Sequence, residues 1–215
     1  MSRFGLHAGW LAGAVFIAAL LALGAVTPGY EHAHEAVSEL GAIGAPCASW
    51  WNALGFGLPG VLIACFAAAL FAPLQREGVG ASARIGVWLL LISGLAFAGN
   101  GVFAYDLQQP YAQTSKLHVA MLTITLLAFV PATLLLALSL RGRGGWRALV
   151  GVGPLIALVA LLSVIQRMWD FVPLLQGNPG YAQRVTLAMY FMWLALAAFT
   201  ALRLAATPAS MHRRR

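Results

Sequence analysis

Charge is scarce in this chain. Only 9% of its 215 residues are Asp, Glu, Lys or Arg, while 61% are apolar. A soluble domain needs roughly a quarter of its residues charged to cover its surface, so a water-soluble globular fold is excluded. Acidic residues are scarcer than basic ones, six against thirteen. The resulting charge of +7 does not make a nucleic-acid partner, because the basic residues sit as short clusters between apolar runs and not on one soluble face. Cysteine is almost missing. On a helix, Cys47 and Cys65 stand roughly 27 Å apart, whereas a disulfide tolerates about 7 Å between Cα atoms, so no intramolecular bridge is expected. No Asp, Glu, Lys, Arg or His falls in the middle of an apolar run. That argues against a transporter with a charged path, leaving a neutral or lipid substrate open. It also argues against heme, which wants facing histidines deep in a bundle.

What is present is length. Six stretches are long enough to cross a bilayer, which takes about 20 apolar residues. They run approximately Ala8–Val26, Ser49–Phe71, Ile85–Ala104, Leu117–Leu140, Ala148–Ile165 and Val185–Ala205, the fifth with scope to continue through Gln166 to Trp169. The fold class is therefore all-α, a polytopic six-helix transmembrane bundle in a single domain over residues 1–215. The first stretch exceeds the usual signal-peptide core and lacks a small-x-small cleavage pattern after it, so it reads as a retained helix. Lys/Arg asymmetry sets the orientation. Arg3, Arg76, Arg84, Arg141, Arg143, Arg147, Arg203 and Arg213 to Arg215 fall on one side, against Lys116, Arg167 and Arg184 on the other. The first side is predicted to be cytoplasmic and to hold both termini. Glu31, Glu35, Glu39, Asp106 and Asp170 fall on the outer side, with Glu77 inside.

Within the spans, glycine is frequent, as in Gly55-Phe56-Gly57-Leu58-Pro59-Gly60 and Gly99-Asn100-Gly101. Small residues let membrane helices approach closely. Pro59 and Pro131 each remove a backbone donor and are expected to kink their helices. Asn52 and Asn100 must find hydrogen-bond partners in the bilayer. They serve either as helix-to-helix bonds or as the floor of an outward-opening pocket.

The outer loops carry the candidate chemistry. In helical spacing Glu31, Glu35 and Glu39 form one stripe at i, i+4 and i+8, which needs a cation, a metal or an arginine opposite it. In an extended segment His32 and His34 point to one side. Imidazole with carboxylate suits a metal such as zinc, with His32, His34, His118 and Asp106 as candidate ligands, although no compact H-E-x-x-H pattern is present. Ser38, Asp106 and His118 are the candidate catalytic residues of a hydrolase or transferase. Glu35, Glu39, Asn52, Asn100, Lys116, Arg167 and Arg184 are the candidate ligand contacts. Whether the chain is an enzyme stays open at this point, and no cofactor is assigned.

The stretch Val37-Ser38-Glu39-Leu40-Gly41-Ala42-Ile43-Gly44-Ala45-Pro46, followed by Asn52-Ala53-Leu54-Gly55-Phe56, resembles the signature of the DUF998 family of six-helix bacterial membrane proteins. Phe103, Asp106 and His118 match that family's Phe-x-x-Asp closing the third helix and His opening the fourth. The family is similar at a distance to the eukaryotic Frag1/DRAM/Sfk1 group, whose members are linked to lipid remodelling and distribution. By that analogy the resemblance implies a lipid-facing role, with the bilayer and a lipid or lipid-linked headgroup as partners. An intramembrane hydrolase or transferase, metal-dependent or not, is the alternative, and a small-molecule transporter the third reading.

Overall fold

The computed structural model describes residues 4–169, 172 and 176–206. Arg3, Asp170, His212 and Arg213 to Arg215 lie outside these residues, as does the side chain of Arg167. Six helices are long and apolar enough to span a membrane: α1 (Phe4–Val26), α2 (Ala48–Arg76), α3 (Ala81–Val102), α4 (Gln113–Ser139), α5 (Arg147–Trp169) and α6 (Pro179–Ala206). Among the described residues there is no strand. Several helices outrun their apolar stretches by about a turn, because a helix end at the interface still satisfies its backbone while its side chains reach water. α5 runs through Gln166 to Trp169, as its polar continuation allowed.

Each helix packs on its neighbours in sequence, and α6 returns to pack on α1, closing the six into a ring. α2 also touches α6. Aromatic rings fill the centre. Phe97 sits between Phe16, Phe56, Tyr190 and Phe191, with ring centroids 5.5 to 6.2 Å apart. Offset and edge-on pairs of this kind add to what burial alone contributes.

The closest helix crossing lies between α2 and α3. A Cβ on Gly60 would fall onto the backbone nitrogen of Ala98 and 2.6 Å from the Gly94 carbonyl oxygen. A Cβ on Gly94 would lie 2.8 Å from the backbone nitrogen of Ala64. Only glycine at both positions lets the two backbones meet. Just before this crossing, residues Asn52–Gly57 form a π-helical turn in which the Leu58 N–H reaches the Ala53 carbonyl, five residues back. Pro59 follows at the start of the regular helix. The widened turn accommodates a residue that has no N–H and whose ring crowds the preceding turn. At Pro131, α4 continues from Gln113 to Ser139 without a break.

At the end that carries most of the arginines, short connectors are pinned to the bundle. Arg143 donates through Nε to the Glu77 carbonyl at 2.9 Å, and Trp146 Nε1 donates to the Glu77 carboxylate at 3.2 Å. The longer loops gather at the opposite end.

Candidate functional site

The first long loop, residues 27–47, opens with Pro28 and Gly29, the latter at φ 74°, and passes through turns into a single 3-10 segment, Val37–Gly41. The helical stripe expected of Glu31, Glu35 and Glu39 does not form, because short-range capping of the backbone wins over helical periodicity here. Glu35 accepts the Glu31 N–H at 2.8 Å, and Glu39 accepts the Ala36 N–H at 2.8 Å. The Glu39 contact is half of a capping box. These carboxylates are satisfied locally and need no cation opposite them. His32 and His34 also part company. His34 Nδ1 lies 3.0 Å from the Gly177 carbonyl, while the His32 ring rests over Gly24 of α1. Among the described residues, no three His, Cys, Asp or Glu side chains gather as a metal would require.

Arg184, in the second turn of α6, holds this loop. Its Nη1 donates to the carbonyls of Glu35 (2.8 Å) and Gly180 (3.0 Å); its Nη2 donates to the Tyr30 hydroxyl (2.6 Å) and lies 3.1 Å from His32 Nδ1. The guanidinium carries only donors, so Nδ1 is the acceptor and His32 is neutral in this arrangement. Arg184 Nε is buried and has no partner among the described residues. Around it, Val37 N–H donates to Gln183 Oε1 at 2.7 Å and Tyr181 N–H to the Ala33 carbonyl at 3.2 Å. Gly180 completes the fit, since a Cβ there would lie within 2.7 Å of three loop carbonyls, those of His32, Ala33 and Glu35.

Burial holds the Tyr30 phenol above its ordinary range despite the nearby guanidinium. Burial and then Arg184 hold the His32 imidazole below its ordinary value. A histidine with a depressed folded pKa stabilises the fold above its unfolded pKa of about 6.5 and ceases to do so as pH falls through the folded value. The protection of backbone amides at residues 30–36, measured relative to their intrinsic exchange at each pH, is therefore expected to fall as the pH is lowered from 7.5 to 5. His32→Asn keeps an acceptor near Arg184 without a titrating ring. That variant should keep the same protection across the range; a loss of protection that persisted in it would assign the effect elsewhere.

The residues that carry the motif also fasten backbone. Asn52 Nδ2 donates to the Gly41 carbonyl at 2.9 Å, and Ile43 N–H to the Tyr105 carbonyl at 2.9 Å. Asp106 Oδ1 accepts the N–H groups of Gln108 and Gln109 at 2.9 and 3.1 Å. His118 is buried, its Nδ1 2.8 Å from the Phe103 carbonyl and its ring against Phe56 and Tyr105. Asn100 donates to its own helix at Ala96, 3.2 Å away. The buried Oδ1 atoms of Asn52 and Asn100 have no partner among the described residues. No hydrogen bond joins Ser38, Asp106 and His118 to one another, although a nucleophile and its base work within about 2.6–3.2 Å. Lys116 is exposed in the first turn of α4.

Below Arg184 a groove of about 660 Å³ runs down the seam between α1 and α6. Small residues open it, Gly13 and Ala14 facing Ala188 and Ala195, and Trp10 stacked on Phe199 closes its far end. Among the described residues, Arg184 is the one charged residue in its wall. From Arg184 to Phe199 the helix rises about 22 Å, more than one leaflet of a hydrocarbon core about 30 Å thick. At 28 residues, α6 is about 42 Å long. It therefore overhangs that core by about 6 Å at each end if centred, which sets Arg184 at the headgroup boundary.

Reading ionisable groups alone misses a set of hydroxyls inside the bundle. Ser93 Oγ lies 2.8 Å from the Thr125 carbonyl and 2.9 Å from Tyr190 Oη. Ser163 Oγ lies 2.7 Å from Thr186 Oγ1. The available signal was the spacing of Gln183, Thr186 and Tyr190 at i, i+3 and i+7 on one face of α6.

In comparison with known proteins, the family described as "Protein of unknown function (DUF998)" matches residues 10–200, a stretch that reaches into all six helices. No curated protein and no solved structure matches the chain.

Proposed function

The chain belongs to the DUF998 family, and from that premise we propose that it is a lipid-binding membrane protein. One acyl chain lies in the α1–α6 groove and an anionic headgroup meets Arg184. The observation that carries this reading is the union of an apolar groove about a leaflet deep with the Arg184 guanidinium in its wall near the mouth. An apolar furrow alone is filled by any lipid tail. A fixed cation at the headgroup level adds preference for a negatively charged lipid, since charge-assisted bonds to phosphate oxygens are the strong ones. The likeness to Frag1/DRAM/Sfk1 noted from the motifs favours the same class by analogy. In this reading the arginine-rich end faces the cytoplasm of a bacterium and the groove opens toward the outer leaflet of its inner membrane.

Filling the groove tests the proposal. Ala14 and Ala188 are exposed in its wall, so Ala14→Phe with Ala188→Phe removes volume there and leaves the core untouched. Native mass spectrometry in mild detergent is expected to show phospholipid retained by the wild type and lost from the double variant, at an unchanged unfolding temperature. Equal retention by both proteins would sink the reading.

A further inference from the structure

At the arginine-rich end, the turn from α4 into α5 folds around a cleft of about 490 Å³. We propose that this cleft is a second ligand site, which holds the phosphate group of an anionic lipid at the end of the bundle opposite Arg184. It shares no residue with the α1–α6 groove, so the two sites stand or fall separately.

Among the described residues, Arg143 and Arg147 are the side chains in its wall that carry polar atoms. Arg143 is half committed. Its Nε donates to the Glu77 carbonyl and its Nη1 to the Ser139 carbonyl. Those bonds fix the guanidinium and leave Nη2 without a hydrogen bond among the described residues. The side chain of Arg147, exposed in the first turn of α5, makes none. Charge points the same way. The sequence brings one acid to this end, Glu77, against Arg76, Arg84, Arg141, Arg143 and Arg147, and Glu77 also takes the Trp146 indole N–H. The cleft therefore carries positive charge that the protein does not balance. Two guanidiniums with N–H groups to spare suit phosphate oxygens, which they can meet in a fork.

The rest of the cleft has room for more than an ion. Gly142, Gly144 and Gly151 line it, and a Cβ on any of them would meet nothing within 4 Å. Its space thus lies open against bare backbone, where glycine lets a ligand approach closely. The volume falls within the roughly 300–1,000 Å³ of sites that hold small molecules. Leu140 and Val150 supply aliphatic wall. Gly151 lies one turn beyond Arg147, about 6 Å along α5, so charge at the mouth gives way to apolar surface within a turn. With 23 residues, α5 is about 34 Å long. That is close to a hydrocarbon core of about 30 Å and sets Arg147 at the headgroup boundary. Phosphate at the boundary with hydrocarbon beneath it is the order of a phospholipid, whereas a free phosphate uses the mouth alone. Basic pockets between membrane helices recurrently hold such headgroups.

Native mass spectrometry of the full chain, titrated with phosphatidylglycerol, phosphatidylcholine or inorganic phosphate, tests the site. The titration is run in the wild type and in the Ala14→Phe, Ala188→Phe protein, whose outer groove is filled. In the filled-groove protein, Arg147→Gln is expected to weaken phosphatidylglycerol binding about tenfold and to leave phosphatidylcholine and the unfolding temperature unchanged. Gly151→Phe, which fills the cleft from an open position without touching its charge, should weaken phosphatidylglycerol as much. Arg141→Gln removes the same charge from the same turn but outside the cleft wall, and should leave binding nearly unchanged. Phosphatidylglycerol held equally well by the Arg147 variant would overturn the proposal. So would an Arg141 variant as weak as the Arg147 one, by reducing the effect to a diffuse basic surface. Inorganic phosphate binding as tightly as phosphatidylglycerol would overturn the lipid as the source of the phosphate. If filling the groove changed nothing, the groove reading would fail while the Arg147 comparison still reported on this cleft.

Discussion

A valine at position 60 is expected to leave little folded protein. Gly60 meets the Gly94 carbonyl and the Ala98 nitrogen across the α2–α3 crossing, and backbone atoms cannot swing aside as a side chain can. In a bilayer, close approach is itself a main source of helix association, because lipid tails are as apolar as the side chains they replace. Forcing the helices apart therefore loses dispersion along the whole seam, and the change should cost about 3 kcal/mol or more. Thermal unfolding in detergent, read beside the yield of monodisperse protein, measures it. The control is Gly151→Ala in α5, where a Cβ would meet nothing within 4 Å. That exchange should be neutral or stabilise by up to about 1 kcal/mol, since alanine suits a helix better than glycine. If the two variants behaved alike, the α2–α3 crossing would not be the close contact described.

Arg184→Ala is expected to have the second largest effect, and on two readouts at once. It removes every side-chain tie from α6 to Tyr30, His32 and the Glu35 carbonyl. Hydrogen bonds to a charged group contribute about 1.5–3 kcal/mol each before partners rehydrate, so the loop end should lose about 2–4 kcal/mol. Exchange at residues 30–36 should rise toward unprotected rates, and preference for anionic over zwitterionic lipid should disappear. Arg184→Lys separates the two. Lysine keeps the charge but is a point donor, unable to reach four acceptors in one plane. It is expected to preserve the anionic preference in part while the loop loosens as in the alanine variant. If alanine loosened the loop yet left lipid preference intact, Arg184 would be a fastener and not a headgroup contact.

The six spans were legible because bilayer thickness demands long apolar runs, and nothing else in a 215-residue chain produces them. Their ends were less so. Gln113 to Lys116 look like loop by hydropathy, yet they open α4, because the helix continues into water where polar side chains cost nothing. The glutamate stripe misled for a related reason. Spacing at i, i+4 and i+8 suits a helix, but the Glu35 and Glu39 carboxylates find backbone N–H groups within four residues. Arg184 could be seen as an outer cation. Its role as a clamp could not, since its partners lie about 150 residues away in sequence. The groove depends on which helices become neighbours, and no local pattern reveals that α6 closes on α1. Each buried serine or threonine reads singly as an ordinary helix residue bonded back to its own turn; only their convergence is informative.

That closure has a consequence for how the molecule is made. α1 emerges from the ribosome before α6, with roughly 150 residues between them, which is about 10–30 s of synthesis at ordinary elongation rates. Throughout that interval the Gly13 face of α1 has no partner, because the side chain it fits is Phe191 of α6. The first loop likewise waits for Arg184 and Gly180. Insertion is thus vectorial while assembly is not: α1 and the loop after it are completed only when α6 arrives, and until then they are a part of the nascent protein in need of a chaperone or of the translocation machinery's shelter.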